Sequence, residues 1–140
     1  RLPCIGGGLR SRQLAYCVTN RLQLWASLIE KAFAKACGSY EALRGGEASE
    51  ALSMLTGWPC KIIIFDPAYN PQLDPDLVWA ELCFSSDVGF LMTCSTKQVT
   101  ASSSLAPFHV YSILGVHDLH STSSSQLRLV KIRNPHSRAN

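Results

Sequence analysis

Two residues near the end of this 140-residue chain, His109 and Asn134, have the types and the spacing for proton-transfer chemistry. His109 lies at the start of one strand-like run, Phe108 to Val116, and Asn134 just past another, Gln126 to Ile132; a polar linker holding Ser121, Thr122, Ser123, Ser124 and Ser125 separates them. Those runs predict an antiparallel hairpin. If it folds symmetrically about Ser121 and Thr122, His109 faces Asn134. A histidine held by an asparagine amide is oriented to take a proton from a thiol, the amide standing where aspartate stands in serine hydrolases. A slip of one residue in register would send the two side chains to opposite faces. On pattern alone the plainer reading stands ahead: His109 is an ordinary histidine at a strand start, and Asn134 a turn residue before Pro135.

The other reactive side chains offer less. Cys4, Cys17, Cys37, Cys60, Cys83 and Cys94 lack the close pairing of zinc sites, and several lie in apolar segments, so they read as reduced core thiols of a cytoplasmic protein. An even count would also permit disulfides, which a domain of this size does not need. Cys60 precedes a strand-like run and Cys94 sits at a strand end, so neither gains the helix N-terminus that lowers a thiol pKa. His117 and His120 stand three residues apart on a strand or loop with no third ligand, and no metal site is expected of them. Gly6, Gly7 and Gly8 lack the Lys-Ser/Thr ending of a phosphate loop, and a flexible leading segment is expected there.

Charge and hydropathy narrow the partners. The net charge of +3 comes from scattered residues such as Arg10, Arg12, Arg21, Lys131, Arg133 and Arg138, with no basic run to track a phosphate backbone, so no nucleic-acid partner is expected. Apolar stretches fall short of the roughly 20 residues of a bilayer span, so no membrane partner is expected either.

The elements that must position the pair follow from periodicity. Hydrophobic content of 46% with 16% charged residues describes a folded chain, sized for one domain or a piece of a larger one. Its start at Arg1 rather than methionine suggests a fragment. Trp25, Leu28, Ile29, Ala32, Phe33 and Ala36 recur at helical spacing and predict one apolar helix face, closed by Gly38. Ser39 can cap a short turn through Leu43. After Gly45 and Gly46, the residues Ala48, Ala51, Leu52 and Leu55 predict a further helix ending at Gly57. The composition then shifts: Ile62 to Phe65 predicts a buried strand, Asp74 and Pro75 open another helix, and Val88 to Cys94 reads as a strand. The expected class is α+β with helices first and a boundary at residues 57 to 59.

Three blocks carry a resemblance. LWASLIEKAFAKACGSYEALRGG, Leu24 to Gly46, resembles the helix and turn before the domain junction of calpain catalytic domains. FHVYSILGV, Phe108 to Val116, resembles the catalytic-histidine strand of that family, and RLVKIRNP, Arg128 to Pro135, its catalytic-asparagine strand. The blocks come in the family's order, and their divergent wording is most similar to the calpain-15, or small optic lobes, branch.

The resemblance implies part of a papain-like fold. Residues 1–57 would be the helical end of the first catalytic subdomain and 58–140 a truncated, antiparallel β-sheet-rich second one. It implies an intracellular, cytoplasmic cysteine endopeptidase that acts on proteins or peptides. His109 would be the general base, Asn134 its orienting partner, and Gly46 a backbone contact for extended substrate. The family's nucleophile is a cysteine followed by tryptophan at a helix start, a setting none of the six cysteines has. The thiol is therefore expected in an upstream half of the same catalytic domain, and this chain alone is expected to be inactive.

Three departures bear on inherited roles. Phe108 replaces a small residue before the histidine, Gln23 an acidic calcium ligand, and His136 the aromatic after Asn-Pro. No cofactor is expected within the chain, and the family's calcium control is in doubt. The alternative reading is a catalytically dead calpain-like scaffold whose groove binds extended peptides without cutting them.

Overall fold

The computed structural model describes residues 4–5, 13–14, 16–17, 23–98, 104–120 and 126–135. The glycine triplet, the serine linker and His136 lie outside the described residues. The chain divides into two compact units, Arg1–Pro59 and Cys60–Asn140.

In the first unit two short strands, β1 (Cys4–Ile5) and β2 (Gln13–Leu14), pair antiparallel where only a flexible leading segment was expected. A pairing of two residues each leaves too little periodicity to read from sequence. Helix α1 (Trp25–Ala36) follows the predicted period. Its expected face is not covered, however: Trp25, Leu28 and Ile29 stand exposed, and the buried residues are Ser27 and Ala34. Helical spacing sets the conformation, while burial needs a neighbour that the described residues do not place there. Ser39 Oγ accepts the Ala42 N–H at 3.2 Å and supports a single 3-10 turn, Glu41–Arg44. Helix α2 (Ala48–Thr56) then ends at Gly57, whose φ of 74° is the left-handed cap that glycine adopts without strain.

The second unit is built on α3 (Pro75–Val88) and a sheet. Asp74 Oδ1 accepts the N–H groups of Asp76 and Leu77 at 2.9 and 3.4 Å, with Pro75 in the first turn as predicted. Val88 belongs to this helix and not to a strand. Gly89 at φ 82° closes it, and the Gly89 and Phe90 N–H groups return to the carbonyls of Ser86 and Ser85. This local cap outweighs the β preference of one valine.

The sheet has the order β3 (Met92–Ser95), β4 (Val110–His120), β5 (Gln126–Arg133), all antiparallel. Helix α3 packs on β4. Trp79 Nε1 donates to Asp118 Oδ2 at 3.1 Å, and Arg128 bridges Asp76 at 2.7 Å while its guanidinium lies over the Trp79 ring. The architecture is α+β.

The predicted strand at Ile62 to Phe65 does not form. The segment is irregular, and Ile62, Ile64 and Phe65 are exposed. A β-branched run is stable as a strand only against a neighbouring ladder, and among the described residues it has none. Lys61 instead bonds Glu81 of α3 at 2.6 Å, and Asp66 opens a turn.

Candidate active site

The site lies where β4 begins. The connection from β3 is held to it by backbone bonds: Phe108 N–H donates to the Lys97 carbonyl at 3.1 Å and Thr96 N–H to the His109 carbonyl at 2.9 Å. Thr96 Oγ1 accepts the His109 N–H at 3.0 Å and donates to the Ala106 carbonyl at 2.6 Å. The His109 backbone is thus fixed on both sides before its ring makes any contact. Farther out, Lys97 Nζ bonds Asp66 Oδ2 at 2.7 Å and lies over the Tyr69 ring, tying the turn after residue 66 to this connection. The Lys97 ammonium holds the Asp66 carboxyl below its ordinary pKa, helped by the Ala68 N–H, and Asp66 in turn raises Lys97.

Register brings the asparagine to the same place. From the hairpin end, His120 aligns with Gln126, and the ladder runs regularly to Gly115 opposite Lys131. There Leu114 is accommodated as an extra residue, and Ile113 aligns with Ile132 and Ser112 with Arg133. Carried one step past the last pair, this register would set Asn134 opposite Tyr111, with His109 two residues farther along on the same face. The symmetric hairpin expected from the linker put the pair directly opposite; the structure makes it diagonal. The offset is even, so the face is kept. Had Leu114 taken a place in the ladder, Asn134 would align with Ser112, and His109 would fall on the other face.

The contact that results is a hydrogen bond of 2.8 Å between His109 Nε2 and Asn134 Oδ1. An amide oxygen only accepts, so Nε2 carries the proton and the lone pair of the neutral ring is on Nδ1. The His109 ring also meets the Tyr111 ring edge to face, with centroids 4.8 Å apart and planes at 76°. Tyr111 is only 4% exposed, and its hydroxyl accepts the Ala106 N–H at 2.8 Å.

With this geometry in place, kinship can be assigned. The calpain family cysteine protease domain matches residues 1–140. The chain belongs to the calpain family. It is similar to the calpain-type cysteine protease DEK1 of Arabidopsis thaliana, 35% identical over 96% of this chain and 6% of that protein. Calpain-12 of Mus musculus is 34% identical over 83% of this chain and 16% of its own length. Calpain clp-1 of Caenorhabditis elegans is 33% identical over 96% and 17%. The chain therefore spans a small part of each of these relatives.

For a calpain, the described cysteines are telling. Cys37 caps the C-terminal end of α1, Cys83 lies within α3, Cys94 is in β3, and Cys60 follows Pro59 in irregular chain. Cys17 bonds through its N–H to Glu30, and burial followed by Glu30 pushes its thiol up to about 11; burial also raises Cys94. None of these five stands at a helix N-terminus, where a thiolate is stabilised.

Gly46 is exposed in the first unit. It has no positive φ, and a Cβ there would meet nothing within 4 Å among the described residues. Neither backbone geometry nor crowding within the chain calls for glycine at that position. Phe108 is the reverse case: at φ 49° it adopts a conformation suited to glycine, with its side chain 77% exposed beside His109.

Gln23, just before α1, is neutral and exposed, and among the described residues no three His, Cys, Asp or Glu side chains converge on a metal site. Sequence reasoning missed Thr96, Tyr111 and the Asp66–Lys97 pair. Tyr111 carried a signal, two residues from His109 on one strand and so on its face. The others depend on how β3 pairs with β4, which the sequence does not display.

Proposed function

We propose that this chain supplies the general-base half of a calpain-type cysteine endopeptidase site. The observation that carries this is the 2.8 Å bond from His109 Nε2 to Asn134 Oδ1. It leaves the basic lone pair of the neutral ring on Nδ1. That atom would take the proton of a cysteine thiol as the sulfur attacks a peptide carbonyl, then return it to the leaving amine. Asn134 would hold the ring in one tautomer throughout. Gly46 would let an extended substrate backbone approach, a role supported by the open space around it among the described residues.

The thiol would come from an upstream half of the same catalytic domain, and this chain alone would not cleave peptides. Two things support this: the settings of the described cysteines, and the uncovered apolar stripe of α1, which such a half would bury. The two compact units would correspond to the helical end of the first catalytic subdomain and part of the second. Placement in the calpain-15 branch rests on the wording of the three blocks. A cytoplasmic location is supported by the free thiols of Cys17, Cys37, Cys83 and Cys94; among the described residues no helix is long and apolar enough to cross a membrane.

A second reading, the peptide-binding scaffold that does not cut, is favoured by one observation: the Phe108 side chain, exposed beside His109, narrows the approach to the base. An electrophilic cysteine-protease probe applied to the complete gene product separates the two. Labelling of a cysteine followed by tryptophan, lost on His109→Ala, is expected of the protease; no labelling sinks it.

A further inference from the structure

We propose that the sheet face turned away from α3 is a docking surface for an acidic amphipathic helix of a partner protein. The apolar part of that helix rests on Leu119, Leu127 and Leu129, and its carboxylates meet Lys131 and Arg133.

Alternation along the strands sorts the sheet into two faces. Asp118 and Arg128 are cross-strand partners on the face that α3 covers, where Asp118 accepts from Trp79 and Arg128 bridges Asp76. Their neighbours in sequence point the other way. Leu119 pairs with Leu127 and His117 with Leu129; past them Gly115 pairs with Lys131 and Ser112 with Arg133, all on this second face. The three leucines adjoin one another there, and each stands exposed.

The charges of this face are unbalanced. Asp118 is the one carboxylate in the three strands, and it belongs to the other face. Among the described residues Lys131 and Arg133 have no ion-pair partner, whereas Arg128 on the covered face has one. Leucines in water and cations without counter-charges share one surface, the complement of a partner that is both apolar and acidic.

Their order gives the partner its shape. Leucines occupy the rows nearest the hairpin end and cations the rows that follow, so Leu127 to Arg133 spans roughly 20 Å of strand, the length of about 13 residues of α-helix. The middle of the face is low enough for a helix to lie on it. Gly115 has no side chain, and the His117 ring lies over it, with Nε2 3.1 Å from where a Cβ would stand. Helix α3, of 14 residues, packs on the opposite face, and a second helix would complete the sandwich of layers. An anionic bilayer would meet the same cations. Its end-on approach, however, would carry Ser121, Thr122, Ser123, Ser124 and Ser125 into the lipid ahead of the leucines, where hydroxyls without partners are costly.

Nuclear magnetic resonance of the 140-residue chain tests the proposal by titration with a capped helical peptide of about four turns. The peptide carries leucines along one face of its first half and glutamates along the same face of its second half. Methyl signals of Leu119, Leu127 and Leu129 should shift, while those of Val78 and Met92 in the covered layer stay in place. Binding should weaken as salt rises. Lys131→Glu combined with Arg133→Glu should weaken it roughly tenfold, the worth of two surface ion pairs turned to repulsion. The same peptide with glutamine for glutamate should bind the unaltered chain as weakly, a comparison that holds if the double variant does not fold. No leucine shift at millimolar peptide, shifts centred on Val78 and Met92, or equal binding of the glutamate and glutamine peptides would overturn the proposal. Sedimentation of the chain with phosphatidylserine vesicles, without any response to the peptide, would assign the face to a membrane and overturn it as well.

Discussion

His109 Nε2 and Asn134 Oδ1 are 2.8 Å apart although neither belongs to the paired strands; the register continued past Ser112 opposite Arg133 would set Asn134 beside Tyr111, so the bond to the histidine runs on the diagonal. A diagonal contact spans more distance than a direct pair and depends on longer side chains, here an imidazole and an amide. Asn134→Ala should therefore remove the hydrogen bond that puts the proton on Nε2. In an assembled enzyme that carries the thiol, kcat should fall by roughly 10²-fold with little change in KM, since general-base catalysis is worth about 10²–10⁴. Steady-state kinetics on a peptide substrate measures both.

Phe108 offers a test of strain beside the site. Its φ of 49° costs a residue with a Cβ about 1–2 kcal/mol, and with the side chain 77% exposed little burial offsets this. Glycine relieves the strain but loses more chain entropy on folding, so Phe108→Gly should stabilise by a net of about 0.5–1 kcal/mol. A higher urea midpoint with unchanged slope is the expected result. The same change opens the approach to His109, so in the assembled enzyme KM for an extended peptide should fall.

What the sequence made legible divides along local and non-local lines. The Asp74–Pro75 helix start, the glycine ends at Gly57 and Gly89 and the existence of the β4–β5 hairpin all follow from chemistry within a few residues. The hairpin's exact centre does not: adjacent Ile113 and Leu114 followed by Gly115 hint at a bulge but do not say which residue leaves the ladder, and that residue, Leu114, decides which face His109 shares. Ile62 to Phe65 failed for a related reason, because β propensity does not say whether a partner strand exists. Thr96 reached the site through pairing between β3 and β4, a contact no spacing rule announces.

The Asp66–Lys97 pair makes stability depend on pH. The Asp66 carboxyl is held below its unfolded value by Lys97 first and the Ala68 N–H second. Its contribution is present above the unfolded carboxylate pKa and is lost as pH falls through the folded value. Lys97 is raised by Asp66, so its contribution is complete below the unfolded lysine pKa and is lost as pH rises through the folded one. Asp66→Asn should flatten the acid limb of the denaturation midpoint against pH. Lys97 is exposed and Asp66 partly so, and added salt should therefore shrink the difference between variant and wild type.

The cysteines should separate by reactivity in an order set by their surroundings. The thiolate is the reacting species, and at pH 8 a thiol pushed up to about 11 is ionised in only about one molecule per thousand. Part of that rise comes from the Glu30 carboxylate, which repels negative charge on sulfur. Cys94, raised by burial and placed in a strand between Thr93 and Ser95, is also disfavoured. Cys37 is exposed at the end of α1, where a reagent reaches its sulfur directly. Limited alkylation followed by peptide mass mapping should therefore mark Cys37 well before Cys17 or Cys94, with Glu30→Gln speeding Cys17 and leaving Cys37 unchanged. Early labelling of Cys17 would mean that the segment carrying it does not hold its thiol against α1 in solution.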